Sequence, residues 1–321
     1  MKVVFFGTPA FAVPSLVRLS QMPGLELVGV VTQPDTRRGR GNQLSYTAVK
    51  QVALEINLES SCAMPIWQPQ RLKKDAEVLN ALAATQATLF VVVAYGQILS
   101  PEVLAMPAKG CINVHGSLLP KYRGAAPIQW AIARGEQVTG VTTMQMDAGI
   151  DTGDMLLKAS LPILPEDQAE SLSAKLADLG ADLLVQTLQQ LEQITPVPQD
   201  HRLSSYAPII TKGDLELDWS RAATELRDRI RGFYPDCFVT FRGQRLKIHQ
   251  AELLTPSWDC SAYSVGAIAA LVKPEGFAVQ TGAGQLLITR VQPAGKKSQS
   301  GWDFANGARI KLGESFEVPT D

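Results

Sequence analysis

Histidine is scarce in this chain: His115, His201 and His249 are the only three in 321 residues. Cysteine is nearly as rare. Cys62, Cys111, Cys237 and Cys260 share no short spacing, which excludes a CxxC redox pair and a zinc knuckle and suits the reduced thiols of a cytosolic protein. Charge of one sign is missing too. Lys and Arg total 30 against 31 Asp and Glu, a formal net charge of -1, so no global basic field announces a nucleic acid and any polyanion site must be a local patch. No apolar run approaches the roughly 18 residues that a membrane-crossing helix needs. The opening MKVVFFGTPAFAVPSLV imitates a signal peptide only briefly, because Gly7, Pro9 and Pro14 break it and no convincing small-residue cleavage site follows. It reads as a buried first strand of a cytoplasmic protein. A dinucleotide fingerprint is also lacking. Of its three glycines only Gly7 is present, with Pro9 and Ala12 in the other places, which argues against a nicotinamide dehydrogenase.

What is present is organised in two parts. A chain of 34.7 kDa exceeds what one core usually supports, so two domains are expected. Near-continuous apolar runs at Val3–Phe6, Leu27–Thr32, Leu89–Ala94 and Cys111–His115 suit the buried centre of a parallel sheet. Helical patterns at Ser45–Ile56 and Leu72–Thr85 lie between them. That alternation predicts an α/β doubly wound domain over 1–190, whose ligand sits beyond the carboxyl ends of the strands. Gly140–Met146 and Met155–Ala159 read as two further, antiparallel strands around the loop 147–154, followed by a long helix from Gln168 to Glu192. ITPVPQDHR reads as a linker, 191–208. Short alternating runs at Cys237–Phe241, Arg245–Gln250, Gly266–Leu271, Phe277–Gln280 and Leu286–Gln292 predict a small all-β barrel over 209–321.

The most informative stretch is CINVHGSLLPKYRGAAP, residues 111–127. Asn113 and His115 are two apart in a predicted strand, so both side chains face the same way, at the strand end where this fold places a ligand. An amide donor beside an imidazole is what a reaction through a tetrahedral oxyanion needs, a polariser and a proton carrier. The plainer reading is a buried polar pair that satisfies backbone groups, and for an isolated pair it is the commoner one. After it, Ser117 to Pro120 read as a turn or helical start stopped by proline, Lys121, Tyr122 and Arg123 as a polar cluster, and Gly124 as a bend.

Two loops remain. QPDTRRGRGN sets Arg37, Arg38 and Arg40 among glycines, which suits phosphate contact as well as a solvated surface loop. MDAGIDTGD holds Asp147, Asp151 and Asp154. Three readings stand side by side: a Ca²⁺ or Mg²⁺ site without EF-hand spacing, a carboxylate that orients His115 or a water, and turn-forming Asp and Gly.

INVHGSLLPKYRGAAPIQWAI, with MDAGIDTGDML downstream, resembles the folate-dependent formyltransferase family. The likeness runs along nearly the whole chain, through VVFFGTPAFAVPSL, QPDTRRGRG, VVVAYGQIL and SYAPIITKGDLELDW. AAPIQ, the arginine loop and the C-terminal part favour the members that act on tRNA. The resemblance implies a Rossmann-like formyltransferase domain followed by an OB-like barrel. It implies Asn113, His115 and Asp151 as the catalytic residues, Asp151 being the aspartate of the family's Leu-Asp-x-Gly string. Ser117, Leu118, Leu119 and Pro120 would line the tetrahydrofolate pocket, with Tyr95 and Gly96 on its pterin side. Arg37, Arg38 and above all Arg40 would reach the acceptor end of tRNA, with the C-terminal domain gripping RNA as well. The implied reaction moves the formyl group of 10-formyltetrahydrofolate to the α-amine of methionyl initiator tRNA, with no metal and with a monomer sufficient. GDLEL departs from the family's pattern at the start of the last domain and leaves its tRNA contacts unassigned. Competing readings are the same transfer to an amino sugar nucleotide, hydrolysis of formyltetrahydrofolate, and an RNA-binding module with a dead folate domain.

Overall fold

Odd and even residues of the first strand belong to different cores. Val3 and Phe5 pack with Val30, Leu89, Val91, Ile112 and Val114, whereas Val4 and Phe6 pack with Val31, Phe90, Val92, Tyr95 and Cys111. A strand buried on both faces must sit inside a sheet that is covered on both sides, which is why its sequence does not alternate. The computed structural model describes residues 1–38, 43–59, 63–254 and 263–317. Its N-terminal strands are β1 (Lys2–Gly7), β2 (Glu26–Val31), β3 (Thr36–Arg38), β4 (Gln43–Ser45), β5 (Ile66–Trp67), β6 (Leu89–Val93), β7 (Cys111–His115), β8 (Val138–Gln145) and β9 (Met155–Pro162).

Seven of them form one sheet in the order β5-β2-β1-β6-β7-β8-β9. The strands from β5 to β7 are parallel, and β8 runs antiparallel to β7. This is the doubly wound, mostly parallel sheet expected. β3 and β4 make a separate antiparallel ribbon in which Thr36 pairs with Ser45. The ribbon takes Ser45 out of the helix expected there, which starts at Ala48 and runs to Glu59. The helix expected at Leu72–Thr85 is likewise divided. A 3₁₀ turn covers Leu72–Lys74, then the Asp75 carboxylate accepts the Val78 N–H at 3.1 Å and caps a helix over Ala76–Ala84. The long helix is Ala169–Gln189. A Cβ on its Gly180 would lie 2.9 Å from Val114 Cγ1, so glycine lets this helix sit directly on β7.

The chain divides into two compact units. One comprises Met1–Pro127, Val138–Leu161 and Ser173–Ala207; the other comprises Ile128–Gln137, Pro162–Leu172 and everything from 208 onward. The second unit carries β10 (Phe238–Phe241), β11 (Gln244–Leu253), β12 (Ile268–Val272), β13 (Gly276–Gln280), β14 (Gln285–Pro293) and β15 (Gln299–Ser300). They pair antiparallel in the order β10-β11-β14-β13-β12, with β15 on β14. Register shifts on both sides of Gln250 bend β11, as bulges do, and the sheet curls into an OB-like half-barrel. Helices at Ala223–Gly232 and Gly301–Gly307 join it, neither of which the sequence pattern announced.

Among the described residues no helix is long and apolar enough to cross a membrane. Cys111 and Cys237 are free and buried, and burial pushes each thiol up to about 12. Both are therefore inert small hydrophobes at neutral pH. Cys62 and Cys260 lie outside the described residues.

Candidate active site

β7 ends in the middle of its sheet, between β6 and β8, and delivers Asn113 and His115 to one face. Asn113 pairs with Met144 and His115 with Thr142 across the ladder; Asn113 is 8% and His115 6% exposed. Nearly buried but not sealed off at the strand end, the Asn113 amide is placed to donate to a bound group.

His115 is held from the opposite side. Its Nε2 donates to the Tyr122 carbonyl at 2.8 Å, and since a carbonyl oxygen only accepts, that nitrogen carries the proton. The nitrogen left for chemistry is Nδ1. It faces Asp151 Oδ1 at 3.6 Å, too far for a direct hydrogen bond but close enough for both groups to reach one bound substrate. Both partners of His115 sit on unusual backbone. Tyr122 has φ +61 and Asp151 φ +52, the left-handed region that non-glycine residues occupy only when their surroundings hold them there.

The Asp151 turn is held at several points. Its Oδ2 accepts the Gly124 N–H and its carbonyl accepts from Gln199 Nε2, each at 2.8 Å. A Cβ on Gly153 would stand 1.8 Å from Gln145 O, so only glycine lets the turn close against the end of β8. The other two aspartates of the loop act differently. Asp147 Oδ1 accepts the Gly149 N–H at 3.0 Å and the Thr152 hydroxyl at 2.8 Å, and Asp154 is exposed. No group of three or more His, Cys, Asp or Glu side chains able to hold a metal occurs among the described residues. Of the three readings left open, turn formation describes Asp147, and the carboxylate beside the histidine is Asp151.

The Ser117–Pro120 string turns back on itself. The Ser117 hydroxyl donates to Lys121 O at 2.6 Å, and the buried Thr142 hydroxyl accepts the Leu119 N–H at 3.1 Å while donating to Ser117 O at 2.7 Å. Leu119 packs on Met144 and Met155. Ser117 and Leu119 thus point inward, and Leu118 and Pro120 are the half-buried members. At the end of β6, Gly96 is exposed at φ +88, whereas Tyr95 is 2% exposed. Thr8 Oγ1 and Gln33 Nε2 both donate to the Tyr95 carbonyl, at 2.8 and 3.3 Å, which ties the loops after β1 and β2 to the loop after β6. Among the described residues the Tyr95 hydroxyl has no hydrogen-bond partner, and burial, with the Asp75 charge, raises its pKa well above the ordinary phenol value. Arg37 and Arg38 lie in β3; Arg40 is outside the described residues.

Two residues at this end had no role assigned from the sequence, Arg123 being read only as part of a polar cluster and Gln199 not at all. Arg123 is 2% and Gln199 6% exposed, and the guanidinium donates to Gln199 Oε1. Arg123 had the only available signal, its place in the KYRG string. A glutamine inside a proline-rich polar segment carries no pattern at all.

Family models place this chain among known proteins. The formyl transferase model matches residues 1–188, and the model for the formyl transferase C-terminal domain matches 209–309. Relatives named methionyl-tRNA formyltransferase include one from Cyanothece sp., 54% identical over 337 residues and covering 98% of this chain and 99% of its own. One from Trichodesmium erythraeum is 52% identical over 338 residues, covering 99% of each. Among solved structures, a sugar 3N-formyl transferase determined with dTDP and 5-N-formyl-THF shares the fold at a TM-score of 0.65 and 20% identity, covering 92% of this chain and 99% of its own. An N-formyltransferase from Helicobacter canadensis, in complex with folinic acid and dTDP-3-aminofucose, does so at a TM-score of 0.64 and 17% identity, over 91% and 99%.

Proposed function

The chain belongs to the formyl transferase family, and from that premise we propose that it works as a methionyl-tRNA formyltransferase. It transfers the formyl group of 10-formyltetrahydrofolate to the free α-amine of methionyl initiator tRNA, giving N-formylmethionyl-tRNA for translation initiation. Identity above 50% along the full length of relatives bearing that name supports the acceptor. The observation that carries the chemistry is the Asn113 amide at the end of one strand with a histidine whose Nδ1 faces a carboxylate.

Bound 10-formyltetrahydrofolate supplies an electrophilic formyl carbon, which the amine attacks and from which N10 departs with a proton. An unperturbed α-amine titrates near 8, so a useful neutral fraction exists at physiological pH. Asn113 donates to the formyl oxygen as negative charge develops there, and His115 donates from Nδ1, its Nε2 being engaged by Tyr122. Asp151 takes the proton leaving the amine, directly or through a water, and the same proton is returned to N10 as it departs. Leu118 and Pro120 of the Ser117–Pro120 string, with Gly96 beside Tyr95, form the folate-facing surface.

The parts divide the work. Residues 1–190 hold folate and perform transfer, 191–208 connect, and 209–321 together with Arg37, Arg38 and Arg40 contact tRNA. The enzyme acts as a cytoplasmic monomer. A transfer assay with 10-formyltetrahydrofolate and methionyl-tRNA tests the reading. Wild type transfers, and Asn113→Ala, His115→Ala and Asp151→Ala each lose about a hundredfold or more in kcat, as removal of one oxyanion donor does elsewhere. Transfer to an amino sugar nucleotide in place of methionyl-tRNA would keep the site and replace the acceptor.

A further inference from the structure

The mechanism gives no task to Arg123, although burying a guanidinium is expensive unless its donors are matched. Among the fully buried side chains Arg123 is the bulkiest, at 2% exposure, and its partners are not carboxylates. Nε and Nη2 both donate to Gln199 Oε1, at 2.9 and 2.7 Å, and Nη1 donates to His201 Nδ1 at 3.1 Å. Gln199 in turn uses both hydrogens of Nε2, one for the carbonyl of Asp151 and one for that of Gly153, each at 2.8 Å. The orientation of this amide follows from chemistry. A guanidinium only donates and the two carbonyls only accept, so oxygen must face Arg123 and nitrogen must face the turn. The two carbonyls belong to the turn that holds Asp151 at φ +52 and brings its Oδ1 to 3.6 Å from His115 Nδ1.

We propose that Arg123 and Gln199 are positioning residues for formyl transfer: Arg123 locks the Gln199 amide, and the amide clamps both ends of the Asp151 turn, setting the carboxylate against His115. The inference rests on the role given to Asp151 under Proposed function. The clamp explains why a cation is buried here without an anion. A charge-assisted pair of hydrogen bonds to one acceptor fixes a side chain more firmly than a neutral donor does. Placement at this level matters, because a shift of about 1 Å in a reacting group can cost about a hundredfold in rate.

The test is Gln199→Glu, which keeps the acceptor that Arg123 needs and replaces the amide nitrogen by an oxygen facing two carbonyls. Gln199→Met serves beside it as an apolar variant of similar length. In both, kcat for transfer falls about ten- to a hundredfold, while KM for 10-formyltetrahydrofolate stays within about twofold. In an Asp151→Ala background the same substitutions change kcat by less than about twofold, since a residue that acts through Asp151 has nothing left to position. Full kcat in both single variants overturns the clamp, as does an undiminished further loss in the Asp151→Ala background. Wild type run alongside separates the two ideas. Transfer by wild type and equally by the variants sinks the clamp alone, whereas no transfer by wild type sinks the reaction and the clamp with it.

Discussion

In the N-terminal unit, Asn113, His115, Ser117, Arg123, Thr142 and Gln199 are all buried and all lie at or next to the end of β7. In the C-terminal unit the corresponding interior is aromatic. Phe316 lies 5.2 Å from Phe241, 5.3 Å from Trp219 and 6.1 Å from Phe277, ring centre to ring centre. The first interior stands or falls on matching donors to acceptors, because an unmatched buried polar group costs more than a matched one contributes. The second depends on filled volume. A catalytic end needs the first kind, since hydrogen bonds fix direction as well as distance; a half-barrel needs only the second.

The largest expected effect probes the aromatic side. Phe277 is fully buried, so Phe277→Ala should lower the unfolding free energy by about 4 kcal/mol, read as a fall in the urea midpoint at unchanged slope. A loss below about 1 kcal/mol would mean that the rings collapse into the gap and that volume does not govern this unit.

A smaller effect probes the polar side. Thr142→Val keeps shape and removes one hydroxyl, which leaves the Leu119 N–H and the Ser117 carbonyl without the partner each has now. The cost is about 2 kcal/mol, and the substitution should also raise KM for the folate substrate, because it frees the loop from Ser117 to Pro120. Near-neutral behaviour in both readouts would erase the contrast between the units.

This contrast also explains what the sequence made legible. β7 runs over Cys111–His115 as expected, because Cys111, Ile112 and Val114 make a short β-prone apolar run between a glycine and a polar loop, which leaves few alternatives. Asn113 and His115 were readable for the same reason, as polar letters in an apolar strand. Packing of the second kind is local in sequence and shows as periodicity. Hydrogen-bond matching is not. Gln199 meets Asp151 across 48 residues, and nothing in PVPQD marks it. Ser45 was drawn into a helix because its partner is Thr36 across the ribbon, a pairing that a helical window does not see. Of the arginine loop, the structure places Arg37 and Arg38 in β3, and Arg40 falls outside the described residues.

The smallest effect tests whether matching by charge adds to matching by hydrogen bonds within the N-terminal unit. Asp35 accepts from Lys50 and from Gln68, and the Lys50 ammonium also stands 4.2 Å from the centre of the Tyr46 ring. Burial pushes the Asp35 carboxyl up, but the hydrogen bonds from Lys50 and Gln68 and the Lys50 charge outweigh it, leaving the group below its ordinary value. A carboxyl depressed by folding stabilises the fold above its unfolded value of about 3.9, and that contribution disappears as pH falls through the folded value. Lys50→Met keeps most of the stem's packing and removes the charge, so it should destabilise by about 1 kcal/mol at neutral pH. Urea midpoints of wild type and variant should stay apart from neutral pH down to about 5, then converge below about 4 to the small gap that the Tyr46 contact leaves. A gap that stays constant with pH would assign the effect of Lys50 to packing and the ring, and would place this corner of the N-terminal unit with the C-terminal one.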